Sequence, residues 1–259
     1  MLPFITEDTW VVSPQNGINE LQIAPIVGAE RTLGCVTTIS AAMMEPAHVT
    51  RTDSMAQALQ TEPICFRVGE LDGRVTERVE RLAELFGPAG RTVVTEDLWG
   101  ERWTKLSTNC MANPISAMTG LPSYDMRADD RARRTMFKIA VEAIRVGRAM
   151  GYRVKAPIGD FTLEDLRQAA TEGHPSLEET FVGKPQKIPG RPSMAQDVIK
   201  GRPTEIDYLN GFVVEQGRRV GVPTPYNSAA VAVVKGIEAG EFDVGLENIG
   251  RVESMARAG

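Results

Sequence analysis

The hydrophobic rhythm of the chain changes near residue 98. Before that point the apolar positions come in short β-branched or alternating runs. Thr9 to Ser13 is one, stopped by Pro14 and the Asn16-Gly17 turn signal. Thr32 to Ser40 predicts a longer strand, and His48 to Thr52 is expected to pair with it across the Glu45-Pro46 turn. Ile64 to Glu70 alternates apolar and polar residues, as a half-buried strand does. Val75, Val79, Leu82 and Phe86 then recur at helical spacing, and Arg91 to Thr95 closes the region as a short strand. The first part therefore reads as strands with one helix. After residue 98 the period is helical. Helices are predicted over Trp99 to about Asn113, Arg131 to Met150, Thr162 to Ala170, Glu205 to Val220, and Ser228 to Ala239 as the last. The Glu205 helix is expected to start with a Thr204-x-x-Asp207 capping box. Gly147-x-x-x-Gly151 reads first as close packing within one chain rather than as a contact between copies.

Composition narrows the classes. The 259 residues are 42% hydrophobic and 24% charged, which suits one or two globular domains. The longest aliphatic run, Ala229 to Val234, is too short to span a bilayer, and the start Met1-Leu2-Pro3-Phe4 lacks a signal-peptide pattern. Three widely spaced cysteines make no disulfide framework and no metal site, which points to the cytoplasm. Charge is uneven. Residues 1–98 carry a net of −7 and residues 99–259 a net of +2, and all seven lysines follow residue 98. Neither part is basic enough for a nucleic-acid surface. The split reads first as two domains with different solvated faces; a sharper reading is that the second part handles an anionic ligand.

Polar residues at unusual places are the candidates for chemistry. Lys105 and Asn109 stand at i and i+4, and Asn113 continues their stripe beside apolar Leu106 and Cys110. Asn is a poor helix former, so this row is odd for a plain solvent face. A lysine there can give a proton to a developing alkoxide, while amides donate to a carboxylate or hydroxyl. The plainer reading is a snorkelling lysine with two asparagines tying down backbone. Glu205 reads either as a favourable charge in a first helical turn or as a carboxylate aimed at a substrate hydroxyl or at Lys105. Ser193 follows Pro192 beside the basic Gly183 to Pro192 loop, which carries Lys184, Lys187 and Arg191. It is an anion ligand or an N-cap for a helix beginning near Met194. Asn16 is a turn residue or an amide at the end of a strand, where α/β sheets hold ligands.

Five motifs in order carry a resemblance: strand–Q-N-G at Gln15 to Gly17, W-x-K-L-x-x-N-x-x-x-N-P at Trp103 to Pro114, P-S-M-x-Q-D at Pro192 to Asp197, R-x-T-E-I-D-Y-L-N-G at Arg202 to Gly211, and G-V-P-T-P-x-N at Gly221 to Asn227. Together they resemble the ketopantoate reductases, over nearly the whole chain from about Thr9. The resemblance implies a Rossmann-like NADPH-binding domain followed by an all-helical domain like the C-terminal part of 6-phosphogluconate dehydrogenases. It implies reduction of 2-dehydropantoate to (R)-pantoate, on the route to pantothenate and coenzyme A. By the same resemblance Lys105 is the general acid and Glu205 the second catalytic residue, contacting substrate hydroxyls. Asn109, Asn113 and Ser193 bind substrate, and Asn16 lies at the nicotinamide end of the cofactor. The expected partners are a small 2-keto acid and, as an assembly, a second copy of the chain in a homodimer.

One departure from the family stands out. No two of the 24 glycines are separated by a single residue, so the G-x-G-x-x-G phosphate loop is not in this sequence. Q-N-G normally follows several β-α units, so roughly ninety residues are expected to be missing ahead of it. Residues 1–98 are accordingly expected to be a truncated Rossmann-like domain, and residues 99–259 the helical domain. Two other readings stay open: a non-catalytic helical interaction fragment, and a related reductase of another 2-keto acid.

Overall fold

The computed structural model describes residues 2–39, 41–51, 63–185 and 190–258. The chain divides into two compact units, Met1–Arg102 and Trp103–Gly259.

The first unit holds a four-stranded sheet of β1 (Val11–Ser13), β2 (Thr32–Thr37), β5 (Phe66–Gly69) and β6 (Thr92–Val94), in that order. β1 and β2 are parallel, with Val12 opposite Leu33, and are joined through helix α1 (Glu20–Val27). β5 and β6 are likewise parallel and joined through α2 (Glu77–Phe86). Antiparallel pairing of Cys35 with Val68 links the two β-α-β crossovers. The sheet is therefore more Rossmann-like than the expected strands with one helix. α1 was hidden in the sequence by Pro25, which sits inside it. Leu33, Cys35, Cys65, Phe66, Val68, Val79 and Leu82 form the core, with Phe86 edge-on to Phe66 at 5.0 Å.

His48 does not pair with the Thr32 strand. β3 (Ala41–Glu45) and β4 (His48–Arg51) form their own hairpin, with Glu45 opposite His48 around Pro46-Ala47. Both edges of β2 are already taken by β1 and β5, so no ladder is left for β4. Ser40 and Thr52, included in the expected strands, lie outside the described residues.

The second unit is helical: α3 (Leu98–Thr119, beginning in the first unit), α4 (Ser123–Ala128), α5 (Asp130–Ala149), α6 (Leu163–Thr171), α7 (Pro175–Val182), α8 (Ser193–Ile199), a π-helical turn over Asp207–Gly211, α9 (Phe212–Val220), α10 (Pro225–Glu238) and α11 (Glu247–Ala258). α5 is the centre, touching α4, α6, α9, α10 and α11. Its buried face includes Met136, Ile139, Ala140, Ala143, Ile144 and Gly147. Gly151, with φ +91°, ends it. Gly147 is needed for close approach, because a Cβ there would lie 2.8 Å from the Trp103 ring and 2.7 Å from Val154.

Three expectations change. α3 does not stop near Asn113 but runs through Pro114 to Thr119. The Ser228 helix is not the last, since α11 follows it. The Thr204-x-x-Asp207 box does not form. Thr204 N–H donates to Glu238 Oε1 at 2.7 Å, and the Asp207 carboxylate pairs with Lys235 at 3.0 Å. A tertiary ion pair outcompetes the local cap, and the helix opens with a π-turn, Gly211 N–H to Ile206 C=O at 3.0 Å.

Candidate functional site

In the first unit, Asn16 stands half-buried in the turn after β1, next to Gly17 at φ +90°. The turn is held from behind. Arg102, 2% exposed, donates from Nη2 to Ser13 C=O at 2.7 Å and from Nη1 to Gln15 C=O at 3.0 Å. Its Nε reaches the fully buried Glu20 carboxylate at 2.9 Å. Asn19 Nδ2 adds bonds to Asn16 C=O at 3.0 Å and Ser13 Oγ at 3.1 Å. The Asn16 backbone is thus built into a buried ionic framework that the sequence reading missed, since Arg102 and Glu20 lie 82 positions apart.

In the second unit, α3 carries the stripe. Asn109 and Asn113 are buried and Lys105 is half-buried, on the side of the helix next to buried Leu106 and Cys110. Among the described residues no ion pair is made by Lys105, and burial alone pushes its ammonium below the usual lysine range. Burial also pushes the Cys110 thiol far up, which makes it an inert core group rather than a nucleophile.

Glu205 is half-buried just before the π-turn, and its C=O accepts from Tyr208 and Leu209 N–H at 3.0 and 3.1 Å. That turn is fastened to α3, because Asn210 Nδ2 donates to Cys110 C=O at 3.1 Å. The second Asn210 hydrogen goes to Asn227 Oδ1 at 3.0 Å. Asn227 Nδ2 donates to Ile139 C=O and to Glu142 Oε2, at 3.1 and 2.8 Å. Glu142 accepts the first-turn N–H groups of Tyr226 and Asn227, both at 2.9 Å, so it caps α10 from within the core. Burial pushes the Glu142 carboxyl up to about 7 against the pull of these donors.

Ser193 is exposed and opens α8, with Pro192 in the capping position. Its hydroxyl is therefore not the N-cap of a helix starting at Met194. Arg191 lies nearby, with Nε 3.4 Å from Gly120 C=O, and Lys187 lies outside the described residues. The structure thus sets Lys105, Asn109 and Asn113 on one helix and ties the Glu205 segment to it. Ser193 opens α8, and Asn16 belongs to the first unit. Asn210, Asn227 and Glu142 were not singled out as functional. The signal available was two asparagines and a glutamate within otherwise apolar helical patterns.

Comparison with known proteins supplies the frame. Residues 97–238 match the family described as ketopantoate reductase PanE/ApbA C terminal, and residues 1–61 match ketopantoate reductase PanE/ApbA. The chain belongs to the ketopantoate reductase family. The 2-dehydropantoate 2-reductase of Pyrococcus horikoshii is 32% identical over 91% of this chain and 69% of its own length. That of Archaeoglobus fulgidus is 28% identical over 89% and 68%. The chain thus spans about two thirds of these relatives. The crystal structure of 2-dehydropantoate 2-reductase from Geobacter metallireducens superposes with a TM-score of 0.69 at 28% identity, covering 90% of this chain and 70% of that one. A D-mandelate dehydrogenase solved with NADH shares the fold, with a TM-score of 0.71 at 21% identity over 93% and 73%. Ketopantoate reductase relatives are oxidoreductases, and the fold is the family's: a Rossmann-like sheet followed by a helical domain. Among the described residues no helix is long and apolar enough to cross a membrane.

Proposed function

We propose that this chain carries the substrate half of an NADPH-dependent 2-dehydropantoate 2-reductase, residues 1–98 being what is present of its nucleotide domain and residues 99–259 its substrate domain. The observation that carries the reading is the Lys105–Asn109–Asn113 stripe, with both asparagines buried and the lysine half-buried, and the Glu205 segment hydrogen-bonded to the same helix. In this reading Asn109, Asn113 and Ser193 bind the keto acid, Glu205 takes its hydroxyl, and the Lys105 Nζ proton passes to the ketone oxygen. A desolvated lysine is a better proton donor at neutral pH than an exposed one, because its pKa lies nearer the operating pH.

Reduction also needs a hydride at the ketone carbon. The described residues do not fit a dinucleotide pyrophosphate. No glycine-rich turn follows β1, and the first turn of α1 already holds the buried carboxylate of Glu20 where a phosphate would need positive potential. Asn16 remains as the proposed contact at the nicotinamide end. A homodimer, cytoplasmic location and NADPH rather than NADH belong to the same proposal.

Calorimetric titration of this chain with 2-dehydropantoate tests the reading. Binding is expected, and Lys105→Ala and Glu205→Gln should each weaken it roughly 10- to 100-fold, the scale of a hydrogen bond to a charged group. Equal or tighter binding of unrelated 2-keto acids would move the assignment to another substrate, and no effect of Lys105→Ala would remove it. NADPH fluorescence titration of the 259-residue chain should show no binding. A micromolar dissociation constant would mean that the cofactor is held by other means.

A further inference from the structure

Helix α3 contains an internal defect. Pro114 has no N–H, so the C=O of Cys110, four residues earlier, cannot receive its normal helical bond. A proline ring inside a helix also crowds the carbonyl four residues earlier. Leaving a buried carbonyl unmet costs about 1–3 kcal/mol. Cys110 is fully buried, yet its carbonyl is met by the side-chain amide of Asn210, one hundred positions away.

The orientation of that amide is fixed by chemistry. Both Nδ2 contacts are to acceptors, Cys110 C=O and Asn227 Oδ1. A flipped amide would set oxygen against both. Asn227 is fixed in turn by Ile139 C=O and by Glu142, so the chain of bonds has one direction throughout. The defect lies within the stripe, after Lys105 and Asn109 and next to Asn113. The residue that mends it follows Glu205 by five positions, inside the π-turn.

We infer that Asn210 is a positioning residue: it replaces the N–H that Pro114 lacks and thereby sets the Lys105–Asn109–Asn113 face against the segment that carries Glu205. This rests on the proposed substrate site. The proline makes a binding point on the helix, and the asparagine uses it. An unbroken helix offers no free carbonyl there, and the Glu205 segment then has no polar hold on α3 at Cys110.

The experiment compares the wild type with Asn210→Leu, Pro114→Ala and the double variant. Each is titrated calorimetrically with 2-dehydropantoate, and Lys105 is titrated by ¹³C NMR after reductive methylation. Asn210→Leu is expected to weaken substrate binding about tenfold, as for a lost hydrogen bond, to move the Lys105 titration up towards ordinary lysine, and to lower Tm. Adding Pro114→Ala returns an N–H to Cys110 C=O. It should recover the part of the Tm loss that comes from Cys110 C=O, Asn227 Oδ1 still lacking its donor, while leaving binding and the Lys105 titration altered. Recovery of all three, or unchanged binding and titration in folded Asn210→Leu, would reduce Asn210 to a structural residue and overturn the inference. If Asn210→Leu does not fold, the double variant against Pro114→Ala alone gives the same comparison. If the wild type binds no 2-dehydropantoate, the functional reading fails, and the Lys105 titration still decides whether Asn210 positions the stripe.

Discussion

Glu142 is a carboxylate with three N–H donors in a place that disfavours its charge. Its 6% exposure and its pKa of about 7, against 4.5 for the free side chain, put it among protonatable core groups. The neutral form is the one favoured by burial, so the folded chain holds a proton that the unfolded chain releases between those values. Its contribution to stability is therefore complete below pH 4.5 and is lost as pH rises through 7, on the order of 3 kcal/mol. Arg145 is the cation that opposes this shift. Glu142→Gln should flatten the fall in Tm between pH 5 and 8, read by calorimetry; an unchanged slope would assign the dependence to other groups. Spacing alone made Lys105, Asn109 and Asn113 visible, because i and i+4 share a face whatever the tertiary structure. Glu142, Asn210 and Asn227 were not visible, because their roles depend on partners up to a hundred positions away.

At the scale of elements, helices with strong apolar periods were legible to within a residue or two, α5 above all. Others escaped: α1 carries Pro25 inside it, the short α4 and α7 and the later α11 were not anticipated, and the start of the Glu205 helix is decided by Lys235. At the Glu205 start a local capping signal was overruled by charge from elsewhere. The α3–α5 contact leaves little room. Gly147 lets Trp103 lie against the helix while Trp103 also stacks on Tyr152 at 6.0 Å. Gly147→Ala should cost about 1–3 kcal/mol through overpacking, although alanine is the better helix former. Chemical denaturation followed by tryptophan fluorescence would measure it, and a stabilised variant would show that the ring can shift freely. Thr162→Ala, which removes the capping box with Asp165 at the start of α6, should cost about 1 kcal/mol by the same measurement.

For the whole molecule, the change of rhythm near residue 98 anticipated two kinds of architecture, and the chain divides into its two compact units between Arg102 and Trp103. The parallel crossovers of the first unit were not legible, because strands of three or four residues are too short to show a period. That unit depends on one buried ion pair. Arg102→Leu leaves Glu20 charged without its partner and strips the hydrogen bonds from Ser13 and Gln15, which should cost about 3–5 kcal/mol. Hydrogen exchange read by mass spectrometry should show β1 and β2 losing protection while α5 and α10 keep theirs. Uniform loss across the chain would mean that the two units unfold as one.

Pro114 and Asn210 also bear on how this protein can change. Singly, replacing the asparagine strands a carbonyl, and replacing the proline removes what the asparagine serves. Together the two replacements are expected to offset each other at the Cys110 carbonyl. A lineage can therefore cross between the helix with this proline and one without it only by passing through a weakened intermediate or by changing both positions. Anyone grafting this lysine stripe onto another scaffold must move the proline and the asparagine as one cassette.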